Sequence, residues 1–253
     1  MNENIRLALR IEAGADPGTA ARITGQFQND ETADLTLRLD ENGLALLSDD
    51  QMLRGDLTRM LPRLKQHNLS GELLVRAAKI KDADHPLTAV DATAGLGEDS
   101  LLLAAAGFHV KLFEKNPVIY ELLCDALRRA ASIPELTEVV SRMEVRNGDS
   151  IEAMADLGFT PDVILLDPMF PERRKSALVK NKLQMIQKLE FPCVDEADML
   201  RTAMLAKPKK LIVKRPPKGP FLAGIKPDHS LTGKAVRFDC FVSPADRIHK
   251  FKF

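Results

Sequence analysis

The chain has 253 residues, enough for one sizeable α/β domain with at most a small appendage. Basic and acidic residues balance at 36 each, so the molecule as a whole exerts no long-range pull on nucleic acid. Hydrophobic residues at 45% are ordinary for a globular protein, and eleven Phe, one Tyr and no Trp argue against aromatic stacking platforms.

Residues 1–30 read as partly helical, although Ile5, Leu7, Leu9 and Ile11 make no single stripe. Pro17–Gly18 punctuates this segment, and Thr19 is the expected cap of a second short helix. Leu35, Leu37 and Leu39 then alternate with polar residues, Asn42–Gly43 signals a tight turn, and Leu44, Leu46 and Leu47 supply a return strand. This hairpin is assigned to a small N-terminal α+β subdomain, residues 1–81. Met52, Leu53, Leu57, Met60, Leu61 and Leu64 fall at helical spacing across 51–69, with a break expected at Pro62. Ser70 is the expected N-cap of a helix running to about Ile80.

From Leu87 the pattern becomes alternating strands and helices. Strands are predicted at Leu87–Val90 ending in Asp91, His109–Phe113 ending in Glu114, Met143–Arg146, Val163–Leu166 ending in Asp167, and Leu211–Lys214. Helices are predicted at Glu98–Ala106, Pro117–Arg129, Ser150–Leu157, and from about Ser176 to Ala206 with an interruption near Pro192. Val236–Val242 and His249–Phe253 read as a terminal hairpin. Such β-α units build a parallel sheet covered on both faces, with ligand loops at the carboxyl ends of its strands. Residues 82–253 are therefore assigned to this second unit.

The first of these loops is DATAGLG, Asp91–Gly97. Gly95 and Gly97 let backbone approach a ligand, and the helix that follows presents unpaired N–H groups. Asp91 can orient the loop or meet a cation. A P-loop is excluded because Gly-Lys-Ser/Thr is missing, and Thr93 stands where a dinucleotide fingerprint needs glycine. A cofactor without pyrophosphate makes no such demand. Glu114 can accept hydrogen bonds from both ribose hydroxyls. Asp149 can accept from an adenine amino group, and Ser150 either caps the next helix or touches the ligand as well. Together these loops outline a ribose-and-adenine pocket.

The fourth loop carries the sharpest signal: VILLDPMFP, Val163–Pro171. It is similar to the Asp/Asn-Pro-Pro-aromatic loop of enzymes that methylate amino groups on planar rings, with Met169 at the second proline position. Pro168 and Pro171 stiffen the loop. An exocyclic base amine is a poor nucleophile because its lone pair is delocalised. Asp167 and the Pro168 carbonyl can accept its N–H groups and favour a pyramidal nitrogen, while Phe170 stacks on the base. This is catalysis by orientation and electrostatics.

A basic stretch follows. From Arg173 to Lys218 there are thirteen Lys or Arg against four Asp or Glu. Arg173, Arg174, Lys175, Lys180, Lys214 and Arg215 are the expected contacts to an RNA backbone, which position RNA without reading its sequence. The five histidines, His67, His85, His109, His229 and His249, lack paired metal-ligand spacing, and no metal is expected. Cys124, Cys193 and Cys240 are far apart, which argues against a disulfide framework or structural zinc. The polar N-terminus and the absence of a membrane-length apolar run point to a cytoplasmic protein.

DATAGLGEDS, LFEKNP, NGDS, LLDPMFPERRKSALVKNK and KRPP occur in this order. This set closely resembles the RsmJ family of 16S ribosomal RNA guanine-N2 methyltransferases over roughly Leu87–Val242. The resemblance implies a class I, Rossmann-like methyltransferase fold, S-adenosylmethionine as cofactor, and small-subunit ribosomal RNA or the small subunit as partner. It also implies cofactor contacts from Glu98, Asp99, Glu114, Lys115, Asp149, Ser150 and Asp167. No obligate protein partner is evident. Methylation of another nucleic-acid amine or a protein amide, an NAD-dependent oxidoreductase, and a nonenzymatic RNA-binding assembly protein are the alternatives.

Overall fold

The structure, a computed structural model, describes residues 6–48, 51–81, 83–168 and 195–250. Met169, Phe170, Pro171, Arg173, Arg174, Lys175, Lys180, Cys193 and the stretch from Ser176 to Pro192 lie outside the described residues.

The N-terminal segment forms a sheet of four strands, β1 (Ala8–Ile11), β2 (Thr36–Asp40), β3 (Gly43–Ser48) and β4 (Gln51–Leu53), in that order. β1 is a strand where partial helix was expected; it runs parallel to β2 and pairs Ala8 with Thr36 through Ile11 with Leu39. Helix α1 (Pro17–Gln26) is capped by Asp16 rather than Thr19. The Asp16 carboxylate accepts the Thr19 N–H and hydroxyl, both at 2.8 Å, and Pro17 occupies the first turn, where its missing N–H costs nothing. The β2–β3 hairpin turns at Glu41–Asn42, one residue earlier than expected, because Gly43 already pairs with Asp40. Met52 and Leu53, expected in a helix, lie in β4. Leu53 is 2% exposed and Met52 57%, the two-residue alternation of a strand with one buried face.

Next come a 3-10 turn (Leu57–Met60) and three short helices, α2 (Leu61–Leu64), α3 (Gln66–Leu69) and α4 (Leu73–Ala78). Pro62 sits in the first turn of α2. Ser70 closes α3 instead of opening α4, whose N-cap is Glu72.

The large sheet comprises β5 (Thr88–Asp91), β6 (His109–Glu114), β7 (Met143–Asn147), β8 (Val163–Leu166), β9 (Lys210–Arg215), β10 (His229–Thr232) and β11 (Arg237–Val242). Its order is β10-β11-β9-β8-β5-β6-β7. Only β11 runs against its neighbours. The terminal hairpin thus pairs β11 with β10; of the strand expected at His249–Phe253, residues 251–253 lie outside the described residues. Pro244–Lys250 is a 3-10 helix. Helices α5 (Glu98–Ala105), α6 (Pro117–Ala131), α7 (Pro134–Val140), α8 (Ser150–Ala155) and α9 (Glu196–Leu205) make the connections. The chain winds outward from β5 through β6 to β7, then returns to β8 on the other side. Ligand crevices form at this reversal of strand order.

Alternate residues of the central strands feed two cores. Ala89, Val163, Leu165 and Ile212 pack with α4, α5 and α6, together with Leu57 and Met60. Val90, Ile164, Leu166, Leu211 and Val213 pack with α8 and α9. A third cluster joins the small sheet to the large unit: Leu7, Ile23, Leu37, Leu39, Leu44 and Leu46 meet Val118, Ile119 and Leu122 of α6 and Leu96 of the β5–α5 loop. Buried Asp125 of α6 adds a polar clip, accepting the Leu44 N–H at 2.8 Å and both Arg128 and Arg129 at 2.8 Å. Among the described residues no helix is long and apolar enough to cross a membrane.

Candidate active site

Asp91 ends β5 almost without exposure. Its carboxylate accepts the Ser100 hydroxyl at 2.5 Å and the Thr93 N–H at 3.1 Å. Burial pushes its carboxyl up to about 6, against the pull of those two bonds. Both oxygens are engaged inside the protein, so Asp91 orients the loop. Gly95 and Gly97 both have positive φ, +55° and +79°. A Cβ on Gly97 would come within 2.7 Å of Leu123 Cδ1, so this glycine lets α5 start against α6. A Cβ on Gly95 would meet nothing within 4 Å. The open side of the loop is therefore at Gly95.

Glu114 ends β6, beside β5, and is buried. Its Oε2 accepts the Gly95 N–H at 2.9 Å and its Oε1 accepts the Asn116 N–H at 2.8 Å. Burial pushes its carboxyl up to about 7 despite these bonds. A carboxylate has roughly four acceptor positions; the Lys115 N–H also donates to this one, so about one remains for a further donor. Asn116 itself caps α6 by accepting the Val118 and Ile119 N–H groups.

Asp149, just after β7, is the N-cap of α8, and Ser150 is the first helical residue. The Asp149 carboxylate accepts the Ile151 N–H at 2.9 Å and Lys115 Nζ at 2.7 Å. Burial opposes ionisation, but Lys115 and Ile151 outweigh it and hold this carboxyl below the ordinary range. Asn147 bridges the two strand ends by donating to the Glu114 carbonyl at 2.8 Å.

Asp167 follows β8, on the other side of β5. Its N–H donates to Thr93 Oγ1 at 2.7 Å, which ties the fourth loop to the first. Pro168 is buried behind it. The Asp167 side chain is 39% exposed and lies 2.9 Å from Lys214 Nζ; the same ammonium is 2.5 Å from Asp99 Oδ2. Loss of water raises the Asp167 carboxyl above the usual range, with Lys214 pulling it down and Asp99 pushing it up. Burial works against the charge on Lys214, but Asp99 and Asp167 outweigh it and hold the ammonium above the ordinary lysine range. Glu98 is exposed beside Asp99 in the first turn of α5.

Two members of the expected basic surface are thus turned inward. Lys214 is engaged with two carboxylates. The Arg215 side chain is 1% exposed, donates to the Pro220 carbonyl at 2.8 Å, and lies 3.6 Å from Glu196. Arg215 shapes the loop after β9 and does not form part of a surface patch. Sequence reasoning passed over Arg237, which is buried, grips Asp239 through two bonds of 2.8 Å, and donates to the Pro217 and Gly219 carbonyls. Its guanidinium also lies 5.0 Å from the Phe221 ring centre. The one signal available was an Arg and an Asp two residues apart, on one side of a strand.

The carboxyl ends of β5 to β9 therefore gather Asp91, Gly95, Gly97, Asp99, Glu114, Lys115, Asp149, Ser150, Asp167 and Lys214 along one edge of the sheet. Among the described residues no group of three or more His, Cys, Asp and Glu is arranged to hold a metal.

A family model described as "Putative SAM-dependent methyltransferase" matches residues 21–243. Ribosomal RNA small subunit methyltransferase J of Thioalkalivibrio sulfidiphilus is 39% identical over 217 residues, covering 83% of this chain and 85% of that protein. The protein of the same name from Tolumonas auensis is 42% identical over 173 residues, covering 68% and 69%. A crystal structure of a SAM-dependent methyltransferase from Neisseria gonorrhoeae superposes with a TM-score of 0.75 at 29% identity, covering 93% of this chain and 96% of that one.

Proposed function

The chain belongs to the ribosomal RNA small subunit methyltransferase J family, and from that premise we propose that it methylates N2 of a guanine in 16S ribosomal RNA. It is a class I methyltransferase, and S-adenosylmethionine is its cofactor. The observation that carries the reading is the shared loop: Glu114 accepts from Gly95 while Asp167 donates to Thr93. A cofactor pocket and an acceptor loop are thereby built onto the same few residues.

The residues present fit this cofactor. The open side at Gly95 gives backbone access, and the acceptor capacity left on Glu114 suits a ribose hydroxyl. Asp149 and Ser150 would hold the adenine, with Lys115 fixing the Asp149 carboxylate. Glu98 and Asp99, in the first turn of α5, would contribute further cofactor contacts. The cofactor supplies an electrophilic methyl group on a positively charged sulfur.

The protein's part is to aim the amine. Asp167 and the Pro168 carbonyl accept the two N–H groups of guanine N2, draw its lone pair out of the ring, and point it toward the methyl. Orientation and fixed electrostatics supply the rate. Asp167 or water takes the surplus proton after transfer. The guanine must leave its stack to enter the cleft. By sequence position, Phe170 stacks on it, and Arg173, Arg174, Lys175 and Lys180 meet the RNA backbone. Residues 1–81 are read as a subdomain that supports the cofactor loop of unit 82–253 through Leu96. A cytoplasmic location follows from the substrate.

The test is labelled methyl transfer to naked 16S RNA and to isolated small subunits, followed by nucleoside identification. N2-methylguanosine is expected, and Asp167→Ala should abolish it while RNA binding persists. Cofactor binding without methylation of any RNA form would reject the substrate class; another methylated nucleoside would reject the base.

A further inference from the structure

Lys214 is the expected phosphate ligand that the fold places elsewhere. Parallel pairing of Leu166 with Val213 brings the next residues of β8 and β9, Asp167 and Lys214, side by side. From the helix layer above, α5 lowers Asp99 onto the same ammonium. The resulting contacts are 2.5 Å to Asp99 and 2.9 Å to Asp167, with the lysine side chain 24% exposed. One cation between two carboxylates leaves the trio with a net negative charge. A phosphate approaching Lys214 would face repulsion from both acids.

We propose that Lys214 is a positioning residue for methyl transfer: it joins Asp99 on the cofactor side to Asp167 on the acceptor side and fixes the Asp167 carboxylate for the incoming amine. The inference rests on the reading of Asp167 given under the proposed function. The lysine works through its partner and touches neither RNA nor the transferred methyl. Its stem rises from a central strand and its partners come from a strand end and a helix start, so the acceptor carboxylate is held by rigid elements. It also keeps three neighbouring acids, Asp91, Asp99 and Asp167, from repelling one another across the cleft.

Asp167 faces Lys214 and Arg215 from β9, Asp99 from α5 and Asp91 from β5. Removing the cation therefore disfavours the Asp167 carboxylate, and removing Asp99 favours it. The experiment compares Lys214→Met, Lys214→Arg and Asp99→Asn in the full chain, using single-turnover methylation against pH and RNA affinity against salt. Lys214→Met is expected to slow the step about 10- to 100-fold and to move its acid limb up by about one to three pH units. RNA affinity and its salt slope should not change. Lys214→Arg should restore most of the rate, and Asp99→Asn should move the acid limb down. This opposite shift keeps the test decisive if Lys214→Met folds poorly.

A salt slope reduced by about 0.7 to 0.9 in Lys214→Met, with the rate step intact, would make Lys214 a phosphate ligand and overturn the proposal. An unmoved acid limb in both variants would overturn it as well. If wild type methylates RNA and Asp167→Ala does not, while Lys214→Met behaves as wild type, this inference alone falls. If wild type methylates no RNA, the functional reading falls and takes this inference with it.

Discussion

Glu114 and Asp167 hold one loop from its two sides: the Glu114 carboxylate takes the Gly95 N–H at 2.9 Å, and the Asp167 N–H reaches Thr93 Oγ1 at 2.7 Å. β6 and β8 flank β5, so each strand end delivers one residue to the turn that leaves β5. Cofactor and acceptor groups are thereby registered against each other through two side chains, Glu114 and Thr93, that each grip a backbone N–H. Near-attack geometry depends on this kind of fixed spacing.

Cofactor binding should tighten as pH rises from 6 to 8. Glu114 without ligand has its carboxyl pushed up to about 7, and ribose hydroxyls donating to it would favour the ionised form. Binding then releases a proton in this window. Titration calorimetry at several pH values, in buffers of different ionisation enthalpy, reads both the affinity and the proton count. Equal affinity at pH 6 and 8 with no proton release would remove Glu114 from the ribose.

The same burial has an opposite consequence for the fold without cofactor. Asp91 rises from 3.8 to about 6 and Glu114 from 4.5 to about 7. Groups raised in the native state stabilise it fully below their unfolded values and lose that contribution as pH climbs through the native ones. Stability should therefore decline between about pH 4 and pH 7, with Glu114 alone accounting for on the order of 3 kcal/mol. Urea unfolding across this range measures it, and a curve that rises throughout would contradict the burial argument.

The two loop glycines should separate folding from binding. Alanine at either position meets the left-handed backbone penalty of roughly 1 to 2 kcal/mol. Gly97→Ala also drives a methyl to 2.7 Å from Leu123, adding about 1 to 3 kcal/mol of overpacking. Gly95→Ala meets no protein atom and should lose cofactor affinity by about tenfold or more at a smaller stability cost. Paired melting curves and cofactor titrations check this; a larger melting loss for Gly95→Ala would refute it.

Arg237→Met should cost about 3 to 5 kcal/mol, because Asp239 is left as an uncompensated buried charge and two carbonyls of the loop after β9, at Pro217 and Gly219, lose their donor. Methylation should fall further than cofactor binding, since this loop leaves β9 directly after Lys214 and Arg215. Denaturant midpoints and the ratio of rate loss to affinity loss provide the measurement. The double change Arg237→Met with Asp239→Leu should recover much of the stability.

Asp125→Ala should loosen the small sheet from α6. It removes the acceptor of the Leu44 N–H and the partner of Arg128 and Arg129, again at a cost of about 3 to 5 kcal/mol. Leu96 packs in the cluster beneath that contact, so cofactor affinity should weaken too. Hydrogen exchange would show early opening of β2 and β3; unchanged protection there would count against the clip.

The strand ends were legible because an apolar run stopping at a carboxylate has one natural place in a parallel sheet. Asp91, Glu114 and Asp167 follow such runs, and all three lie where the β-α pattern put them. Local competition was harder to read. Asp16 and Thr19 are both good caps, and the proline at 17 decides for Asp16 by fitting only the first turn. Met52–Leu53 belongs to two periodicities at once, and pairing with β3 chooses the strand.

Lys214 and Arg215 mark the boundary between what the chain alone specifies and what folding adds. Their charges, their place at the end of β9 and their alternation to opposite faces are properties of the sequence, since neighbouring strand residues point opposite ways. Their partners are not. Lys214 meets Asp99 and Asp167 because α5 covers one face, and Arg215 meets Glu196 because α9 covers the other. A linear pattern records a charge but not the distant charge set against it; sheet order and helix packing decide that.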